Sequence, residues 1–154
     1  MSVKFPWQKQ QEFFTAEEQQ QLVAAIQKAE QRTSGEVRLF IENKCRFVDA
    51  VDRAREIFWK LQMDKTELRN ATLLYIAVGD KQAAVFGDEG IHQKVGAEYW
   101  KEVVTGMLFQ FQQGKLADGI CNAIAQLGEA LVHYFPYDKD TDKNELPDEI
   151  IFGR

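Results

Sequence analysis

Ala71-Thr72-Leu73-Leu74-Tyr75-Ile76-Ala77-Val78, then Gly79-Asp80, then Lys81-Gln82-Ala83-Ala84-Val85-Phe86-Gly87: this stretch decides the fold. The first eight residues carry no charge, as a central strand buried on both faces requires. Only Gly79 and Asp80 separate it from the next run, and a two-residue turn opening on glycine suits a tight antiparallel hairpin. The hairpin strand, over 81–86, then ends at Gly87.

Working outward, Val37, Leu39 and Ile41 alternate with Glu36, Arg38 and Glu42, the period of a strand with one face buried, interrupted by Phe40 on the polar side. Between these strands Ala50, Val51, Ala54, Ile57, Phe58 and Leu61 recur at helical spacing, which predicts a helix over 48–62. A strand–helix–strand unit makes its two strands parallel neighbours joined by a right-handed crossover. Upstream, Thr15-Ala16-Glu17-Glu18 reads as a capping box opening a helix over about 15–32. Downstream, two apolar stripes separated by Gly114 predict helices over about 97–113 and 115–135. The expectation is an α/β fold: a three-layer α/β/α sandwich on a mixed sheet, with parallel strands 36–43 and 70–78 and the antiparallel strand 81–86.

At 154 residues the chain has the length of one domain with one core. We place that domain over 1–136 and an acidic C-terminal tail over 137–154. Six carboxylates against two lysines between Asp138 and Glu149 account for most of the formal charge of −5, so the body is close to neutral. No basic stripe offers the footprint nucleic acid needs, which predicts no nucleic-acid partner. Ile150, Ile151 and Phe152 are apolar enough to dock the end of the tail on the body. No signal-peptide pattern opens the sequence, and no apolar run reaches the roughly eighteen residues of a membrane span, so a cytoplasmic location without membrane insertion is expected. Cys45 and Cys121 show no metal-ligand spacing and read as free thiols.

This topology has a consequence for function. The two parallel strands begin at one edge of the sheet, and the hairpin carries the third back to it. Ser34-Gly35-Glu36, Arg69-Asn70 and Gly87-Asp88-Glu89-Gly90 therefore meet on one rim, with Asp64-Lys65-Thr66-Glu67 leading into it. Hard cations such as calcium or magnesium take oxygen ligands of this kind, and a cation there could orient a phosphate. Asp88, Glu36 and Asp64 are the candidate metal ligands on this rim, and Arg69 the candidate contact for a phosphate oxygen. Each has a structural alternative. Glu36 can be solvated or paired with Arg69, and Asp88 can form an Asx-type turn. Arg69 can grip a phosphate through its fork or form an ion pair with Glu36 or Asp88.

Other patterns carry less. Asp138, Asp140, Asp142 and Glu149 fall at the first, third, fifth and twelfth positions of an EF-hand count, but Lys143 stands where the loop demands glycine and Pro147 enters it. His92 and His133 have no partner in the sequence, and Ser34 and Thr33 lie in no nucleophile motif, so no catalytic residue is assigned.

Thr33-Ser34-Gly35-Glu36, Arg69-Asn70-Ala71-Thr72-Leu73-Leu74-Tyr75-Ile76-Ala77, Gly87-Asp88-Glu89-Gly90-Ile91 and the V-G-x-x-Y-W run from Val95 to Trp100, in that order, resemble the TPM domain family. The name comes from a thylakoid lumen protein, a photosystem II repair protein and a receptor modulator. The closing Asn144 to Glu149 and Phe152 to Arg154 are similar to the small cytoplasmic bacterial branch. The resemblance implies an α/β/α sandwich, divalent-cation binding (Ca2+ or Mg2+) in some members, and acid phosphatase activity in a chloroplast member; carried over by position, it implies Asn70 and Gly90 as ligand-binding residues and matches Glu36 to the polar residue after the family's Thr-Gly turn. Exported members usually carry Asp-Asn-Gly where this chain has Arg69-Asn70-Ala71, a guanidinium in place of a carboxylate. Two functions follow as expectations. One is a divalent-cation-binding, non-catalytic or interaction module with a protein partner, one at the membrane as the other members imply. The alternative is a metal-dependent phosphatase with its cation on the rim.

Overall fold

A computed structural model describes residues 13–46, 49–137 and 150–153. The acidic stretch 138–149, with the EF-hand count, lies outside them. The described chain folds as α1 (Ala16–Glu30), β1 (Glu36–Glu42), α2 (Ala50–Lys60), β2 (Ala71–Ala77), β3 (Gln82–Gly87), α3 (Glu89–Val95), α4 (Ala97–Gln112), α5 (Leu116–Tyr134) and β4 (Ile150–Phe152). The strands form one mixed sheet in the order β3-β2-β1-β4. β1 runs parallel to β2, from Glu36 beside Ala71 to Glu42 beside Ala77, and β3 pairs antiparallel with β2 from Thr72 beside Gly87. Helices cover both faces, as the α/β/α reading requires.

Sequence chemistry explains the elements. The capping box forms: the Glu18 amide donates to Thr15 Oγ1 at 3.0 Å and the Thr15 amide to Glu18 Oε1 at 2.9 Å, satisfying two orphan donors of α1. Asp49 caps α2 by accepting from the Val51 amide at 2.9 Å. Leu22 and Ile26 of α1 and Ile120, Ile124, Leu127 and Leu131 of α5 bury against Val37, Leu39, Ile41, Leu74 and Ile76 on one face of the sheet. On the other face Ala54, Ile57 and Phe58 of α2 cover Phe40, Leu73, Tyr75 and Ala84. Burying a side chain of this size is worth about 1.5–3 kcal/mol, so the two-sided sheet dominates stability.

Three expectations need correction. β1 does not show water a polar face: Glu36 and Glu42 are buried along with Val37, Leu39, Phe40 and Ile41, because α2 lies over that side. The hairpin turn is longer than two residues. Its loop runs from Val78 to Lys81, with the Lys81 amide donating to the Val78 carbonyl at 3.3 Å, and Lys81 rather than glycine adopts the left-handed conformation (φ 54°). Gly79 is needed for proximity instead: a Cβ there would lie 2.2 Å from Asn43 Oδ1 and 2.8 Å from the Asn43 carbonyl oxygen. Finally, two short elements were not anticipated, α3 after the rim loop and β4, which runs parallel to β1 beside Leu39, Phe40 and Ile41.

Candidate functional site

The rim assembles as the topology demands. The Glu36 amide donates to the Asn70 carbonyl at 3.4 Å, which ties the start of β1 to the start of β2. The Asp88 amide donates to the Ala71 carbonyl at 2.9 Å and the Gly90 amide to the Arg69 carbonyl at 2.8 Å, which ties the end of β3 to the same place. Gly90 permits this approach: a Cβ there would stand 2.3 Å from the Leu68 carbonyl oxygen and 2.6 Å from that of Arg69. The end of α5 closes the first turn. Thr33 Oγ1 reaches the Leu131 carbonyl at 3.0 Å and also contacts the Phe135 carbonyl, while the Ser34 amide donates to Phe135 at 3.0 Å.

At the centre stands Asp88, only 3% exposed. Arg69 grips it with both arms of the fork, Nε to Oδ2 at 2.7 Å and Nη2 to Oδ1 at 2.8 Å, and Oδ1 also accepts from the Glu89 amide at 2.8 Å as the cap of α3. Charge-assisted bidentate pairs are among the strongest hydrogen-bonded contacts a side chain makes. Arg69 Nη1 reaches Glu89 Oε1 at 3.2 Å. Hydrogen bonding to Asp88, helped by the charges of Asp88, Glu89 and Asp64, raises the Arg69 pKa further above its ordinary value, so it stays cationic. Both structural alternatives for Asp88 and Arg69 are thus realised together: the ion pair and the turn.

Asn70 is 1% exposed, and its Nδ2 lies 3.4 Å from Ser34 Oγ, a long contact, while its Oδ1 has no partner. Turning the amide over would only exchange an orphan oxygen for an orphan nitrogen. The hydroxyls of Thr66 and Thr72 are likewise buried without a partner. Such groups cost free energy unless something satisfies them. Glu36 is 3% exposed, and Asp64 is half-buried in the loop before Arg69. Among the described residues, no three His, Cys, Asp or Glu side chains stand close enough together to hold a metal ion.

Neither histidine faces this rim with a catalytic partner. His92 Nδ1 accepts from Trp100 Nε1 at 2.9 Å and the two rings stack, while His133 packs edge-on against Tyr134. Both cysteines are free thiols, half-buried.

The folded chain matches the TPM domain model over residues 8–130. The chain belongs to the TPM domain family. Among solved structures it is similar to the BA42 protein of the psychrophilic bacterium Bizionia argentinensis, with 42% identity, a TM-score of 0.83, and coverage of 92% of this chain and 97% of that one. The N-terminal domain of the cg2496 protein of Corynebacterium glutamicum shares the TPM chain's fold at 10% identity, with a TM-score of 0.61 over 77% of this chain and 74% of that one. No curated protein sequence matches. Among the described residues of this TPM domain, no helix is long and apolar enough to cross a membrane.

One cluster escaped the sequence reading. At the opposite end of the sheet Glu42, 4% exposed, takes Arg53 Nε at 2.9 Å and Nη2 at 3.0 Å and also accepts the Tyr75 hydroxyl. Arg53 donates in addition to Glu56 at 2.9 Å. Burial and the Glu42 hydrogen bond push the Tyr75 phenol well above its usual range, and the same carboxylate holds Arg53 firmly protonated. The members satisfy one another, so this is a buried structural network. Its only signal in the sequence is that Glu42 follows directly on the apolar run Leu39-Phe40-Ile41.

Proposed function

We propose that the protein is a non-catalytic member of the TPM family, a binding module that uses the rim at the start of β1 and β2, together with the acidic tail, to dock onto a protein partner. The observation that carries this reading is the state of Asp88. Both of its oxygens are taken by Arg69 and one also caps α3, so the buried carboxylate at the centre of the rim is committed to structure. A hard cation or an attacking water would have to break a bidentate, charge-assisted pair to use it. The Arg69 fork and Glu89 stay accessible for docking, beside the buried turn at Ser34. Tyr137, whose amide donates to the Arg32 carbonyl at 2.8 Å, starts the acidic stretch at the edge of that turn. The test is turnover of a phosphomonoester such as p-nitrophenyl phosphate, with calcium, with magnesium and with chelator. No turnover above buffer is expected under any of these; chelator-sensitive turnover overturns the proposal. In parallel, any partner recovered with the full chain should lose affinity when residues 138–154 are removed or when Arg69 is changed to Glu.

A second reading has its own support. Thr66 Oγ1, Asn70 Oδ1 and Thr72 Oγ1 are buried oxygens without partners, and neutral oxygens of this kind are ligands for calcium or magnesium. The family model is also named for a phosphatase. In that reading Glu36, Asp64 and, once released, Asp88 supply the negative charge, Asn70 orients the ligand, Arg69 binds a phosphate oxygen, and water attacks phosphorus. Residue-by-residue amide shifts during calcium and magnesium titration separate the two: movement over 34–36, 64–70 and 87–90 favours the cation site.

A further inference from the structure

The rim contains a cation already, and it is covalently part of the chain. Arg69 reaches Asp88 through two hydrogen bonds at 2.7 and 2.8 Å and Glu89 through a third at 3.2 Å. Two neighbouring carboxylates of the loop after β3 thus hold one positive group from the loop before β2. The backbone bends to put it there. Arg69 sits in the left-handed region at φ 53°, a conformation that costs a side chain with a Cβ and favours Gly, Asn or Asp, and Gly90 lets the neighbouring loop close over its carbonyl. The strain is retained where the side chain spans the loop before β2 and the loop after β3. Asp88 is only 3% exposed, so its pair with Arg69 is made largely out of water.

We propose that Arg69 is a built-in substitute for a divalent cation: its guanidinium occupies the position between Asp88 and Glu89 that an ion would have to take to engage them, and it clamps the two loops without one. This rests on the reading of the rim as an ion-independent docking surface and gives that reading its mechanism. A divalent cation can engage Asp88 only by displacing Arg69, so the native chain discriminates against calcium and magnesium at this position. Remove the guanidinium, and the Asp88 and Glu89 carboxylates are left open to a hard cation.

The test compares the full-length chain with Arg69→Ala and with Arg69→Ala/Asp88→Asn, each titrated with calcium chloride and magnesium chloride and followed by thermal unfolding and by the amide shifts of residues 87–90. The native chain should show no ion-dependent change in Tm and no shifts. The single variant should unfold at lower temperature and regain stability as calcium rises through the millimolar range, binding at least tenfold tighter than the native chain. The double variant should lose that response. If Arg69→Ala is largely unfolded without ions, recovery of its near-ultraviolet circular dichroism on adding calcium serves as the readout. The proposal is overturned if native residues 87–90 shift with calcium, if Arg69→Ala gains no ion response, or if the double variant responds as strongly as the single one. Phosphomonoester turnover by the native chain would refute the non-catalytic reading yet leave this titration to be judged alone.

Discussion

Gly90→Ala should destabilise the protein, although a generic helix argument predicts the reverse. Gly90 is the second residue of α3, and replacing a helical glycine by alanine normally gains about 1 kcal/mol. Here the added Cβ would lie 2.3 Å from the Leu68 carbonyl oxygen and 2.6 Å from the Arg69 carbonyl oxygen. Both obstacles are backbone atoms, so relief requires the two loops to part, stretching the 2.8 Å hydrogen bond from the Gly90 amide to the Arg69 carbonyl. Overpacking costs about 1–3 kcal/mol, and two backbone obstacles put this case at about 2–3 kcal/mol, which outweighs the propensity gain and leaves a net loss of about 1–2 kcal/mol. For a domain of this length that is a fall in Tm of roughly 2–8 °C. Gly106→Ala is the internal control: it lies inside α4 with nothing within 4 Å of the added methyl, so it should raise stability by about 1 kcal/mol. Urea and thermal unfolding of both variants measure the two signs directly. A Gly90→Ala chain as stable as the native one, beside a Gly106→Ala chain that behaves as expected, would refute the close approach of the rim loops.

Three further outcomes are expected. Glu42→Gln should cost about 2–3 kcal/mol in urea unfolding, because it leaves the Arg53 guanidinium, 19% exposed, without its bidentate anion, and the partial exposure of Arg53 keeps the loss at the low end for a broken buried pair. At alkaline pH the sign follows from the raised phenols. Tyr75 and Tyr99 hold their protons above the ordinary value of 10.0 when folded, so the unfolded chain releases protons first and stability should fall as pH rises past that value. The slope should reach about 1.4 kcal/mol per pH unit for each tyrosine, and Tyr75→Phe should flatten it, as pH-dependent denaturation would show. Thr15→Ala should remove the capping box of α1 and lower stability by about 1 kcal/mol, read as a shift in Tm.

Much of this was legible before any coordinates. The uncharged run from Ala71 to Ala77 could only be a central strand, and a crossover followed by a hairpin brings Glu36, Asn70 and Asp88 to one edge whatever the details of the turns. What escaped depended on partners distant in sequence. Glu36, Arg38 and Glu42 alternate like a wet strand face, and only the placement of α2 buries Glu36 and Glu42 and half-covers Arg38; Glu42 tolerates burial because Arg53, a full turn into that helix, reaches back to it. The left-handed bend at Lys81 has no signal in lysine itself, since the loop geometry imposes it. β4 is three residues long and α3 seven, with Ile91 its only buried residue, and segments that short show no period to detect. At the rim the sequence offered Asp88 both as a metal ligand and as a structural acceptor. The choice between them rested on which way the Arg69 fork points, and spacing does not encode that.

The central claim is that Arg69 seals Asp88, and the Arg69 Nε–Hε signal in a nitrogen–proton correlation spectrum reads it most directly. The account predicts a resolved, slowly exchanging Hε that is unmoved by millimolar calcium or magnesium and lost in Asp88→Asn. An Hε exchanging as fast as that of a free arginine, or one that collapses when calcium is added, would contradict it.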